Sequence, residues 1–306
     1  MSNSDHPADT DPLLQAAPRS QPETGVIALT DQRIIAVRGA DARSFLQGQL
    51  SQDVLTLSPR ETRRASLNNP QGRCLVILYI LPDPTLLNEN APDVLCVTPE
   101  SQAVTLVNTL RRYILRSKVT LADETERYAL HGCWTSPSGA ASVTTVHWPH
   151  TLDGRWIRLA PRSTPATDAG NAYALAAWHA ADITAGVPRL TPRTEGEFVA
   201  QMLNLDALDA ISFRKGCYTG QEVIARAHFR GRVKRRLQRF SLALPKGVAA
   251  PAPGESIQLS DGRSATVVDI MRDPKDDTSP CECLAVTTFD APNVPEARPM
   301  SYRLPE

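Results

Sequence analysis

Apolar positions alternate with polar ones near both ends of the chain and take helical spacing at two interior places. Val26–Leu29 and Arg33–Val37 are rich in β-branched residues and predict two short strands. Gly39 turns the chain, and Asp41 stands as the N-cap of a helix over Ala42–Leu50. "RRASLN", the turn Asn-Asn-Pro-Gln-Gly and "CLVILYIL" predict a hairpin bent at Gly72. The run Cys74–Leu81 is eight residues, a buried strand and far short of a membrane span. Cys96–Thr98 is a further short strand, and Tyr128–Gly132 opens a second strand-rich region.

Two helices complete the pattern. "ESQAVTLVNTLRRYILRSKV" sets Val104, Val107, Leu110, Tyr113 and Ile114 on one face, with Arg111, Arg112 and Arg116 outside. "ATDAGNAYALAAWHAADITAGVP" predicts a helix that breaks at Gly186 and Pro188. From Leu237 onward come short alternating strands with a turn at Asp261–Gly262, the pattern of a small antiparallel barrel or sandwich. The expected class is therefore α+β. Residues 1–24 are read as a polar, Pro-rich disordered tail, 25–230 as an α+β body and 231–306 as a β-rich C-terminal domain.

Composition narrows the function classes. Lys+Arg and Asp+Glu both number 33, so nucleic-acid or membrane binding finds no support in net charge and needs a local patch. The N-terminus has no apolar segment of the signal-peptide kind. Six scattered cysteines make no disulfide framework and fit a reducing cytosol. Cys281 and Cys283 share a strand face, but no CxxC accompanies them, and no metal site is expected. Nucleotide-loop, nucleophile-elbow and HExxH motifs are absent.

One stretch concentrates the candidate chemistry. "RKGCYTGQEVIARAHFRGRVKRR" (Arg214–Arg236) sets Cys217 between glycines in a tight, exposed loop. Lys215 and Arg214 stand ready to stabilise its thiolate or to hold an anion. Beyond it, Gly220–Arg226 begins a helix or strand expected to bury Val223 and Ile224. Gln221 offers a heterocycle a donor and an acceptor, and Glu222 pairs locally with Arg226. No acid occurs between Val223 and Gly254, whereas Arg226, Arg230, Arg232, Lys234, Arg235, Arg236 and Arg239 do, a patch suited to phosphates, a polyglutamate tail or an acidic protein.

"KGCYTGQE" (Lys215–Glu222) resembles the signature of the YgfZ-like proteins, folate-binding relatives of the glycine-cleavage T-protein that are associated with iron–sulfur enzyme maturation. "FLQGQLSQDV" (Phe45–Val54), "AGVP" (Ala185–Pro188) and "NLDALDAISFRKGCYTGQEVIARAHFRG" (Asn204–Gly231) follow in the family's order. The resemblance implies α+β lobes around a central cavity, a small C-terminal antiparallel β-barrel, and a reduced folate such as tetrahydrofolate in the cavity. It implies Trp178, Asp182, Tyr218, Gln221, Glu222 and Arg226 as the folate-binding set, with Cys217 and Lys215 as the chemically active pair.

Three departures qualify what it implies. T-protein enzymes carry a catalytic aspartate where this chain has Val76 and Ile77, which argues against aminomethyl transfer. A carboxylate usual before Ala-Gly is Thr184 here, with Asp182 two residues earlier, and Gln32 stands where some members have a tryptophan. The expected function is a cytoplasmic folate-binding accessory protein for iron–sulfur cluster assembly or repair, its partners being client enzymes or cluster carriers. A transient cluster at Cys217 and an indirect effect on tRNA modification belong to that reading. A folate-dependent one-carbon transferase or demethylase and a direct tRNA-binding module are the alternatives.

Overall fold

Fourteen strands and four α-helices occupy the described residues of the computed structural model, which are 25–86, 93–136, 144–162, 172–231, 233–245, 248–272, 279–289 and 294–304. The expected tail, 1–24, and Arg232 lie outside them. The first sheet contains β2 (Gln32–Arg38), β3 (Arg63–Asn68), β4 (Cys74–Pro82), β5 (Val94–Pro99) and β6 (Thr120–Asp123), in the order β3-β4-β5-β2-β6. Helices α1 (Ala42–Gln47) and α2 (Glu100–Tyr113) accompany it. The second sheet is β1 (Val26–Ala28), β7 (Tyr128–Cys133), β9 (Trp156–Pro161) and β8 (Val146–Pro149), in that order. Every ladder in both sheets is antiparallel.

The hairpin expected at Gly72 is β3–β4, and both faces of its strand "CLVILYIL" are covered. Ile80, Val76 and Leu78 pack with α1 and α2 on one side, while Cys74 and Ile77 join the core that leads to the C-terminal sheet. Two details depart from the sequence reading. The inward stripe of α2 is Gln102, Ala103, Leu106 and Leu110, so Val104 is 69% exposed. Gln102 is drawn inside because its Oε1 accepts the Ile77 N–H and its Nε2 donates to the Leu190 carbonyl. Asp41 makes no side-chain cap on α1, because its Oδ2 accepts the Lys118 N–H (2.7 Å).

Helix α3 (Ala172–Ala185) is the central strut. "AYALAAWHAADITA" is apolar nearly all round, as a helix buried on several faces must be. Trp178, Ala174 and Ala181 enter the core between the first two sheets, and Ile183 enters the core shared with the C-terminal strands.

Those strands are β10 (Arg235–Leu242), β11 (Ser256–Gln258), β12 (Ser264–Met271), β13 (Cys281–Thr288) and β14 (Ala297–Arg298), paired antiparallel as β11-β12-β13-β10-β14. The described strands thus form a five-stranded sheet, and no ladder among them joins β11 to β14. Side-chain bonds link the two edges, with Glu296 accepting from the Ser260 N–H (3.1 Å) and hydroxyl (2.9 Å).

Segment 204–220 leads into α4 (Gln221–Phe229) and is laced to segment 47–52. The Ser212 N–H donates to the Ser51 carbonyl, the Ser51 hydroxyl to the Ala210 carbonyl, Gln52 Nε2 to the Asp209 carbonyl, and the Thr219 N–H to the Gly48 carbonyl. Gly220, the N-cap of α4, has φ +82° and lies against the hairpin turn. A Cβ there would sit 2.5 Å from the Asn69 carbonyl oxygen and 2.9 Å from Gly72 Cα, both main-chain atoms with little room to move. Gly220→Ala is therefore expected to cost about 2–3 kcal/mol in a denaturant melt, with increased proteolysis confined to the 214–230 region.

Candidate functional site

A cavity of about 650 Å³ of empty space lies where α3 faces the first two sheets. Its walls are mostly apolar, from Leu29, Val97, Leu130, Ile157 and Pro188, and α3 presents Trp178, His179 and Asp182 to it. Gln32 and Ile77, which the sequence placed at folate-adjacent and catalytic positions, also line it. Trp178 is fixed on both faces. Its ring stacks on His150 (5.2 Å between centroids), meets Trp134 edge-on (5.5 Å) and carries the Arg155 guanidinium at 4.6 Å. Gly132 is what admits it, since a Cβ on Gly132 would fall 2.7 Å from the indole.

A continuous polar chain runs along one wall. Arg64 Nη2 donates to the Tyr79 hydroxyl and to the His150 carbonyl (2.8 Å). Tyr79 Oη lies 2.8 Å from His150 Nδ1, and His150 Nε2 lies 2.7 Å from Asp182 Oδ1. Arg155 Nη1 completes it, 2.8 Å from the same carboxylate oxygen. Ionised Asp182 can only accept, so Nε2 carries the imidazole proton and Nδ1 accepts from the phenol. Burial disfavours the charged form of Asp182, but His150 and Arg155 outweigh it and hold the carboxyl well below the usual range. Of the two, Arg155 is the permanent charge. Burial pushes the His150 imidazole down, against the pull of Asp182, so the ring rests neutral.

A second cluster borders the cavity through His179 and Arg189. Asp31 Oδ2 lies 2.9 Å from His179 Nε2 and 3.0 Å from Arg189 Nη1, and Arg189 reaches Asp269 of β12 at 4.0 Å. Burial raises the Asp269 carboxyl to about 6, with Arg189 pulling it the other way. The cluster ties the N-terminal strands, α3 and the C-terminal sheet together beside the cavity.

The signature loop has a different architecture. Cys217 is exposed, as the flanking glycines suggested. Lys215 points inward instead, and its ammonium donates to the carbonyls of Gln47 (2.6 Å), Leu50 (2.6 Å) and Gln52 (3.1 Å). All three donors are committed there, and burial lowers the Lys215 pKa to about 8. The expectation that this ammonium serves the thiol or a bound anion is thus replaced by a scaffold contact, because segment 47–52 ends with carbonyls that need donors. Tyr218 is buried in the C-terminal core beneath that ammonium (4.8 Å to the ring).

Helix α4 buries only Ile224. Val223, expected inside, is 39% exposed beside Gly72, and Gln221, Glu222 and Arg226 do not line the cavity. Glu222 and Arg226 form an exposed i,i+4 pair at 3.7 Å. Nor do the basic residues beyond make one face. Arg236 is buried on Asp206 (2.7 and 2.9 Å) and Arg239 pairs with Glu282, whereas Arg230, Lys234 and Arg235 are exposed.

Of the six expected ligand contacts, the cavity brings together Trp178 and Asp182. Thr184 turns its hydroxyl back to the Ala180 carbonyl (2.9 Å), leaving Asp182 as the cavity carboxylate of α3. Sequence reading missed Arg64, Tyr79, His150 and Arg155. Their one legible trace was Tyr79, the single residue with a polar tip inside "CLVILYIL".

Known proteins agree with this geometry at the level of fold. The chain is 33% identical over 217 residues to an uncharacterized protein of Haemophilus influenzae, spanning 71% of this chain and 73% of that protein. It belongs to that protein's family. No family model matches. Among solved structures it resembles the glycine cleavage system aminomethyltransferase T of Bartonella henselae, with a TM-score of 0.51 over 86% of this chain and 78% of that one at 14% identity. The fold of this family member is thus T-protein-like. No helix among its described residues is long and apolar enough to cross a membrane, and no cluster of three or more His, Cys, Asp or Glu side chains could hold a metal ion.

The inward lysine makes a checkable claim. Lys215→Ala strips three buried carbonyls of their donor and should lower stability by roughly 2–4 kcal/mol. Chemical denaturation measures this loss, which a lysine serving only the exposed thiol would not produce.

Proposed function

We propose that the cavity binds a reduced folate, tetrahydrofolate or a close derivative, and that the chain is a cytoplasmic accessory protein for iron–sulfur cluster assembly or repair in client enzymes. Its body, 25–230, holds the folate, the β-rich unit 231–306 closes on it as a small barrel, and Cys217 is the thiol that meets a client or a cluster carrier. The observation that carries this reading is the convergence of Trp178, Asp182 and Gln32 on one cavity within a T-protein-like fold. The donor set fits a pterin. An apolar slot suits the ring's faces, and a buried ionised carboxylate suits its N–H edge.

A bound reduced folate would supply one-carbon or reducing chemistry there. The chain's own residues bind and orient it, with Asp182 as the acceptor and apolar walls, Trp178 among them, that exclude water. Val76 and Ile77 are buried and aliphatic, so no carboxylate stands where T-proteins carry their catalytic aspartate, which favours an accessory role over aminomethyl transfer. The resemblance of "KGCYTGQE" to the YgfZ-like signature and the exposure of Cys217 support the thiol's part. Effects on tRNA modification would follow indirectly, through a cluster-dependent modifying enzyme.

Titration with tetrahydrofolate should change the tryptophan fluorescence of the intact protein, and Asp182→Asn should weaken binding about 10- to 100-fold. An aminomethyl-transfer assay in parallel should read zero. A flat fluorescence titration up to millimolar folate removes the assignment. Cys217→Ala should leave the melting temperature within about 1 °C of wild type, as exposed substitutions do, yet fail to restore iron–sulfur enzyme activity in cells lacking this protein. Full restoration by that variant would make the thiol incidental.

A further inference from the structure

The polar chain beside the cavity has the layout of a proton relay. Its members come from four places in the fold. Arg64 is on β3, Tyr79 on β4, Asp182 on α3, and both His150 and Arg155 lie in the connection between β8 and β9. The links are the short contacts already described, Tyr79 Oη to His150 Nδ1 at 2.8 Å and His150 Nε2 to Asp182 Oδ1 at 2.7 Å. Tyr79, His150, Asp182 and Arg64 all line the cavity, so the relay borders that space. A nucleophile or base within hydrogen-bond reach of an imidazole that is oriented by a carboxylate is the arrangement that activates an O–H group.

We propose that Tyr79, His150 and Asp182 form a proton-accepting triad, which takes a proton from a planar cavity ligand bearing a weakly acidic N–H or O–H. The Tyr79 oxygen accepts the ligand proton as its own passes to His150 Nδ1. The ligand ends as an anion beside the Arg64 guanidinium, and His150 ends as an imidazolium beside Asp182. One O–H or N–H bond breaks at the ligand, one N–H bond forms at His150, and the tyrosine is left unchanged. The resting state suits this direction, because the imidazole has an open acceptor nitrogen and Asp182 is already ionised. Arg155 keeps it so from the far side, where a buried carboxylate with no cation would neutralise itself. The ionisable groups facing His150 are Arg64 from β3, Tyr79 from β4, Arg155 from its own connection, and Asp182 from α3, with His179 one turn behind. This inference rests on the cavity and its geometry; folate as the ligand is a separate matter.

The test uses the full-length protein and an aryl sulfonyl fluoride, which labels an activated phenol without needing the natural ligand. The Tyr79 oxygen bonds to sulfur, fluoride leaves, and the phenolic proton goes to His150. Peptide mass spectrometry reads each tyrosine, with Tyr113, 40% exposed and distant from any histidine relay, as the internal reference. At pH 7.5 Tyr79 should label at least about a hundredfold faster than Tyr113, the lower end of what a positioned base contributes. His150→Gln and Asp182→Asn should each remove that advantage and leave Tyr113 unchanged.

Should either variant fail to fold, the pH profile of the wild-type protein decides. Labelling of Tyr79 should fall as His150 takes a proton, below the ordinary imidazole value of about 6.5 because burial pushes it down, whereas labelling of Tyr113 should not show that step. Equal rates at the two tyrosines, or one shared profile, overturn the triad. Rapid labelling of Tyr79 that tetrahydrofolate does not slow would sink the folate reading and leave the triad standing.

Discussion

Asp182 is a full negative charge on a nearly all-apolar helix, placed where two sheets and the approach to a third meet. Such a charge is tolerated only if its partners are fixed beforehand. Arg155 provides the countercharge and is itself sealed in, 2% exposed, between Asp153, Asp182 and the faces of two tryptophans. His150 takes the same carboxylate oxygen and thereby receives its tautomer. The stack of Trp178 on His150, the seat of Tyr79 and the shape of the cavity all follow from that one anchored charge.

A second constraint holds the exposed thiol in place. The segments "FLQGQLSQDV" and "NLDALDAISFRKGCYTGQE" lie far apart in the chain, yet main-chain bonds between 47–52 and 209–219 join them, and Lys215 closes the seam with three carbonyl contacts. The tight fit of Gly220 on Gly72 then fixes the start of α4 against the first sheet's hairpin. The residues that make the signature recognisable are therefore mostly structural, and the loop they build carries Cys217 outward. The cavity and the thiol are two separate features of the fold.

The cluster of Asp31, His179, Arg189 and Asp269 ties the C-terminal sheet to Arg189, a residue of the cavity lining. A β-rich unit could have been a mere appendage. Its contact with α3, through Ile183 in the shared core, and Arg189 reaching Asp269 make it a support behind the cavity instead.

The sequence by itself determined the elements whose reason is local. The hairpin at Gly72, the buried strand Cys74–Leu81, the apolar helix before Ala185, the run of C-terminal strands and the exposed Cys217 are set by periodicity and turn residues, which act over a few neighbours. Tertiary structure alone decided the rest. Lys215 turned inward, Arg236 became a buried ion pair, Val104 and Val223 were left outside, and Arg64, Tyr79, His150, Arg155 and Asp182 came into one line. Hydrogen bonds and ion pairs between residues 15 to 168 positions apart leave no periodic trace, because what satisfies each donor or charge is geometry supplied by another element.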